Sequence, residues 1–397
     1  MNLMEIIIQK VKIYNKDGNY KTETVMPPPK PPDLPRFFVE PNQALAARLE
    51  AHFEDLGARI GRNPELAAKV EAVVLGGGYG RGEGGILTDA EGSEELFNDL
   101  DYFLFTDHPD DGALRALVHE LEERGTADLG IDVEVKLARI DSLPRPEDSM
   151  MVYDLAAGHV VVYGDPDYLR NRWPDPQAAE IPLAEAARLL WNRGTGLYFA
   201  SCRIAQREDR RFVERNHAKF KLAAGDALLC TDGRYHWSFR ERQRRFRELG
   251  ENPFGIGAIY EEGIEFKRSP RDGTLGWEEL AEENRSLSRL WAQLFLHVES
   301  KRLGVCFADA AAYVGGRERR SPEIPRWKAP MFAVRDFIRY RRWVGPVWDY
   351  PRTGLFRSLF CLLSEDLPGP ERFIGKPAGS GRAAWEPTYK FWWERYG

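Results

Sequence analysis

The chain has 397 residues, 43% hydrophobic and 30% charged, with a formal net charge of −6. That composition fits an ordinary globular protein of two to three domains and argues against a general nucleic-acid coat protein. No apolar run approaches the ~20 residues of a membrane span, so no membrane partner is expected.

Residues 4–25 alternate loosely about Asn15-Lys16-Asp17-Gly18, and Asp-Gly between Ile/Val/Tyr-rich runs signals a hairpin turn. Residues 26–35 (MPPPKPPDLP) can continue neither strand nor helix and read as an extended polyproline linker. Residues 1–35 are therefore an appendage without chemistry. The N-terminus carries charges inside its apolar run, unlike a signal peptide, and the location expected is cytoplasmic. Cys202, Cys230, Cys306 and Cys361 lie far apart without metal spacing and read as reduced thiols.

Apolar positions predict a helix over 42–56, a short helix ending near Val70 and a strand over 72–75. A helix over 113–124 follows, with Gly125 and Gly130 bracketing its exit. Strict alternation predicts a strand over 131–140. A helix over 150–157 and a short buried strand over 159–163 close this part. Helical patterns then dominate: 183–205, 212–230, 239–249, 277–303 and 325–343. The tail, 348–397, is rich in Trp, Phe, Pro and Gly and reads as irregular structure. The fold class is α+β: a mixed sheet with flanking helices over 36–180, then an all-helical region over 181–397.

The chemistry concentrates in residues 73–105. A short apolar run ends in Gly76-Gly77-Gly78-Tyr79-Gly80-Arg81-Gly82; a long acidic spacer follows, then Asp99-Leu100-Asp101 at the head of a second apolar run. On a strand Asp99 and Asp101 share one face. Two adjacent carboxylates repel unless a cation sits between them, and Mg²⁺ is usually held by a few carboxylates plus substrate phosphates. Asp132 and Glu134 share a face of the 131–140 strand; paired beside Asp99 and Asp101, they would complete a cluster suited to two-metal phosphoryl transfer. The glycines let backbone N–H groups approach a phosphate, and Arg81 offers a charged donor fork. Lys136 continues the acidic face and reads as a partner for an acid.

The stretch resembles the DNA polymerase beta-like nucleotidyltransferase superfamily. Its pattern is an apolar strand, a Gly-Gly or Gly-Ser turn, Asp-x-Asp on the next strand and a third acid on a later one. Residues 76–82, Asp99-Leu100-Asp101, and Asp132 or Glu134 match these parts; Tyr153-Asp154-Leu155 and residues 161–165 look like the end of the catalytic unit. The resemblance covers about residues 70–170 and implies a bacterial-type nucleotidyltransferase with a helical C-terminal domain. It implies that Gly76, Gly77, Gly78 and Gly80 hold the triphosphate of an NTP, ATP first. It also implies that Asp99, Asp101 and Asp132 hold two Mg²⁺ ions, and that the third acid activates an acceptor hydroxyl. The usual serine after the glycine is replaced here by Gly77 or Gly78, and the acidic spacer is long.

In related enzymes a helical-domain lysine reaches the triphosphate, which makes Lys219 and Lys221 candidates. Arg193, Asn216 and His217 are weaker ones, and His217 reads as structural. The basic residues between Arg203 and Arg247 read mostly as a solvated face, but they keep an RNA acceptor open. Trp343, Trp348, Trp392 and Trp393 offer an aromatic wall, with core packing as the plainer reading. The expected acceptor is a small molecule or sugar. RNA- or protein-directed transfer, and a nucleotide-binding regulatory module without transfer, are the alternatives.

Overall fold

The structure, a computed structural model, describes residues 9–14, 20–25 and 37–396, except 90, 179–180, 251, 253, 271–272, 274, 323, 343, 365, 368 and 378. The first two stretches are β1 (Gln9–Tyr14) and β2 (Tyr20–Val25), paired antiparallel as the hairpin that the Asp-Gly turn predicts. The turn and the proline linker lie outside the described residues. The hairpin and the chain from Phe37 onward are separate compact units.

The second unit opens with α1 (Gln43–Gly61). The Asn42 side chain accepts from the Leu45 N–H at 2.9 Å, and Leu45, Leu49, Phe53, Leu56 and Ile60 make one buried stripe. Next come α2 (Pro64–Ala67), β3 (Ala72–Leu75) and the single turn α3 (Gly77–Gly80). The acidic spacer forms a hairpin of β4 (Gly85–Thr88) and β5 (Glu94–Phe97). Asp89, Glu91, Glu94 and Glu95 are exposed, while Glu83 and Leu96 are buried and the Tyr79 hydroxyl donates to the Gly85 and Phe97 carbonyls. The unit continues through β6 (Asp99–Phe105), α4 (Gly112–Leu129), β7 (Asp132–Ala138), α5 (Met150–Ala157), β8 (Val160–Gly164) and α6 (Tyr168–Arg172). Helix α4 runs through Gly125, where a Cβ would press on Val133 and His52, and ends only at left-handed Gly130 (φ 72°).

The four-stranded sheet has the order β7-β6-β3-β8. Strands β6 and β7 are parallel, joined by α4, and β3 is antiparallel to both its neighbours. Strand β8 is an edge and only half-buried, not the buried strand its apolar run suggested. Strand β6 decides where the site falls. Leu100, Tyr102 and Leu104 pack with α1 and α4 on one face. On the other face Phe103 and Phe105 pack with Leu155 and Leu169, while Asp99 and Asp101 continue that face beyond the apolar patch.

The remaining chain is helical: α7 (Leu183–Gln206), α8 (Arg210–Thr231), α9 (Phe239–Glu248), α10 (Gly257–Arg268), α11 (Trp277–Leu303), α12 (Ala310–Gly315), α13 (Lys328–Tyr340), α14 (Pro351–Leu363), α15 (Glu371–Ile374) and α16 (Glu386–Tyr396). The tail is therefore largely helical, not irregular. Pro351 and Pro387 stand in the first turns of α14 and α16, where a missing N–H costs nothing.

Trp291 centres this core. Its ring packs on Phe295 and Phe360 (centroids 5.2 and 4.7 Å), and its indole N–H donates to the Leu190 carbonyl at 2.8 Å. Gly194 makes room, because a Cβ there would strike the indole. Trp291→Ala is expected to cost about 3–5 kcal/mol, read as a shift of the denaturant midpoint. No helix among the described residues is long and apolar enough to cross a membrane.

Candidate active site

The turn after β3 is built by glycines with different duties. Gly77 has φ +62°, and a Cβ on it would sit 2.6 Å from the Asp101 Oδ2. Gly76 donates its N–H to the Asp101 carbonyl at 2.8 Å, and a Cβ there would press on Leu155 and Phe103. At Gly80 a Cβ would strike the Leu75 carbonyl. Gly77 and Gly78 line a cleft; Gly76 and Gly80 are packed behind it and serve the turn. Gly77→Ala is expected to cost about 1–2 kcal/mol for the left-handed backbone alone and to displace Asp101 as well. Chemical denaturation measures the first effect, and nucleotide binding the second.

The cleft has a volume of about 500 Å³. Asp99, Asp101 and Lys136 line it from the sheet, and Arg193 (α7) with Arg215 and Lys219 (α8) from the helical region. The parallel register sets Asp132 beside Asp99 and Glu134 beside Asp101, so all four acids share one face. They do not converge equally. Asp132 and Glu134 are exposed and do not line the cleft. Lys136 Nζ sits 3.2 Å from Asp101 Oδ1 and 3.6 Å from Glu134 Oε2, the acid partner that the sequence suggested. Among the described residues no group of three His, Cys, Asp or Glu side chains stands ready to hold a metal ion.

The two helical lysines part company. Lys221 is clamped between Glu262 and Glu283, both at 2.6 Å. Lys219 faces the cleft, where burial brings its pKa down to about 8; Arg193 and Arg215 push the same way, while Asp99 and Asp101 oppose. Burial also works against the charge on Arg193, which Asp226 and Asp99 support. Neither Asn216 nor His217 lines the cleft. Asn216 donates to the Phe212 carbonyl at 2.8 Å, and buried His217 lies between Glu283 and Asn284 (2.8 and 3.0 Å), a structural role.

Arg81 lines the cleft but is not a free donor fork. It pairs with Asp154 at 3.2 Å and Glu83 at 3.5 Å. Behind it lies a buried polar network absent from the sequence reading. Arg242 pairs with Asp226 at 2.8 Å, and the Tyr235 hydroxyl donates to Asp154 at 3.2 Å. Glu83 accepts from the Phe239 N–H at 2.7 Å. Burial lifts the Asp154 carboxyl to about 6 against the pull of Arg81 and Arg242, and lowers Lys267, also on the cleft wall, to about 8. These contacts join the sheet layer to α8, α9 and α10. The signals available were a lone aspartate in an apolar helix (Asp226) and an arginine two residues before a glutamate (Arg81, Glu83), both too weak alone.

The basic stretch is mostly paired on the surface: Arg203 with Glu386 (2.9 Å), Arg207 with Glu278 (2.6 Å), Arg234 with Glu248 (3.0 Å) and Arg247 with Glu261 (2.7 Å). None of the three described tryptophans proposed as an aromatic wall lines the cleft. Trp392 is buried in the core, Trp393 packs on Phe199, Trp348 is exposed, and Trp343 lies outside the described residues. Cys202, Cys230 and Cys361 are buried free thiols, and Cys306 is an exposed one.

Neither the known protein families nor the curated proteins yield a match to this chain.

Proposed function

We propose that the chain is a divalent-metal-dependent nucleotidyltransferase of the DNA polymerase beta-like type. It moves a nucleoside monophosphate from an NTP, ATP first, to an acceptor hydroxyl on a small molecule or sugar and releases pyrophosphate. One observation carries the reading: a single cleft holds the glycine turn and two carboxylates on the sheet side, and the desolvated Lys219 with Arg193 and Arg215 on the helical side. The fold reading rests on the order of parts. A glycine turn follows β3, Asp-x-Asp heads the antiparallel neighbour β6, and further acids lie on its parallel neighbour β7.

The donor set fits one hard cation. Asp99 and Asp101 offer carboxylate oxygens on one face of β6, and Gly77 keeps the space beside Asp101 Oδ2 clear of a side chain. An Mg²⁺ ion held there would polarise the α-phosphate and neutralise charge on the leaving group. The chain's own groups do the rest. Lys219, Arg193 and Arg215 neutralise and orient the triphosphate, and the N–H groups of Gly77 and Gly78 approach it closely. The acceptor oxygen bonds to the α-phosphorus as the bond to pyrophosphate breaks, and the hydroxyl proton passes to a carboxylate. Of the two candidates for that base, Glu134 is favoured over Asp132, because it lies beside Asp101 and reaches the same ammonium. Glu134→Gln should therefore lower turnover on the order of 10²-fold, and Asp132→Asn much less. Equal losses in a pyrophosphate-release assay would reverse the assignment.

A second reading is supported by Lys136. Its ammonium already neutralises Asp101 and Glu134, as it would in a nucleotide-binding module without transfer. Calorimetry with ATP and Mg²⁺ beside the release assay separates the two: the module binds and releases nothing with any acceptor. The paired state of the basic stretch favours a small acceptor over RNA.

A further inference from the structure

Helix α13 and its flanks carry a feature that the cleft does not use. Residues 325–344 contain six basic side chains (Arg326, Lys328, Arg335, Arg339, Arg341 and Arg342) and one acid, Asp336. Asp336 is fully buried and neutralised by Arg395 at 3.1 Å, by Arg335 of the same helix at 3.3 Å and by a hydrogen bond from the Tyr396 hydroxyl. Ala329, Ala333 and Asp336 form the inward face, and Tyr340 packs edge-on against Phe391 and Trp392. The helix is thus anchored on α16.

Its opposite face is apolar and in water. Trp327, Met331, Val334 and Ile338 recur at i, i+4, i+7 and i+11, a single stripe. They are 62, 58, 56 and 67% exposed. Lys328 and Arg339, at i and i+11, run along one edge of the stripe, both exposed, while Arg335 between them turns its guanidinium to Asp336 and the Tyr396 hydroxyl. A stripe of large apolar side chains beside a row of cations, with no acid on the exposed side, is the pattern of a helix that lies in a membrane interface.

We propose that α13 docks the protein onto an anionic lipid bilayer, its apolar stripe sinking among the acyl chains and its cations meeting the headgroups. Charge complementarity selects this occupant. A second copy on the same face would set the cations of Lys328, Arg339 and their basic neighbours against themselves, whereas a negative leaflet attracts them. The chain as a whole carries −6, so the remainder of the protein is net negative and is on average repelled by the same leaflet. The indole of Trp327, at the start of α13, suits the headgroup level.

The test is flotation of the full chain with phosphatidylcholine vesicles, with and without about one third phosphatidylglycerol. Expected is binding to the anionic vesicles only, lost at about 1 M salt. Lys328→Glu with Arg339→Glu should lower partitioning at least ~25-fold, at about fivefold per cation removed. Val334→Asp with Ile338→Asp should abolish it. All four positions are exposed, so circular dichroism and ATP binding should not change. Failure to float with anionic vesicles, or flotation that both double variants leave intact, would overturn the proposal. So would a dimer in sedimentation velocity that Val334→Asp/Ile338→Asp dissociates, which would assign the stripe to a second copy.

Discussion

Asp101→Asn is expected to lower pyrophosphate release by at least 10²–10³-fold, on the order of what loss of one preorganised electrostatic contact to a phosphoryl-transfer transition state costs. The fold should survive. Asn keeps the size of the side chain, and the backbone carbonyl that accepts from Gly76 is untouched. Asp101 is also the meeting point of the site: Gly77 is shaped around its Oδ2, Lys136 binds its Oδ1, and its charge supports the ammonium of Lys219. Removing that charge should also lower the Lys219 pKa further. The variant should therefore bind ATP less well at pH 8 than at pH 6.5, by a larger factor than the wild type does. A midpoint of unfolding close to wild type separates lost chemistry from lost structure.

Lys219→Ala is expected to weaken ATP binding by roughly 10–100-fold, the worth of a charged hydrogen bond in a desolvated place. The effect should depend on pH. In the free protein burial lowers the Lys219 pKa to about 8, so its charge is complete below that value and fades as pH rises through it. A bound triphosphate raises the pKa again, and binding above pH 8 then takes up a proton. Affinity should accordingly fall about tenfold per pH unit above 8 until the pKa of the complex is reached. Lys219→Arg keeps its charge throughout and should flatten this limb. Lys267, also lowered to about 8, provides the control, because it lies near Glu83 rather than the paired aspartates. Titrations of ATP affinity at pH 7, 8 and 9 with both single variants check the assignment. A limb unchanged in Lys219→Arg would remove Lys219 from the triphosphate site.

The sheet side of the site was legible because strand periodicity is strict. Asp99, Asp101, Asp132, Glu134 and Lys136 all fall on the faces that alternation assigns, and the parallel pairing of β6 with β7 makes these one face. The glycines were less legible. Gly77 and Gly80 look alike in a string, yet one lies open to the cleft and the other is pressed against the Leu75 carbonyl. Lys219 and Lys221 are two residues apart on α8 and so point in different directions, and only the positions of Glu262 and Glu283 decide which one is held away. The buried network was out of reach, since Asp154 meets Tyr235 across 81 residues and Glu83 meets Phe239 across 156. The tail's content of Trp, Phe, Pro and Gly points to irregular structure. Pro351 instead starts a helix whose next two turns, from Leu355 to Leu362, are buried.

The most direct test offers the full chain ATP labelled on its α-phosphate, with Mg²⁺ and a pool of small-molecule acceptors. Label should move to an acceptor with matching release of pyrophosphate, and Asp101→Asn should abolish both. Tight ATP binding without label transfer across the pool, or transfer that persists in Asp101→Asn, would contradict a nucleotidyltransferase built on Asp99 and Asp101.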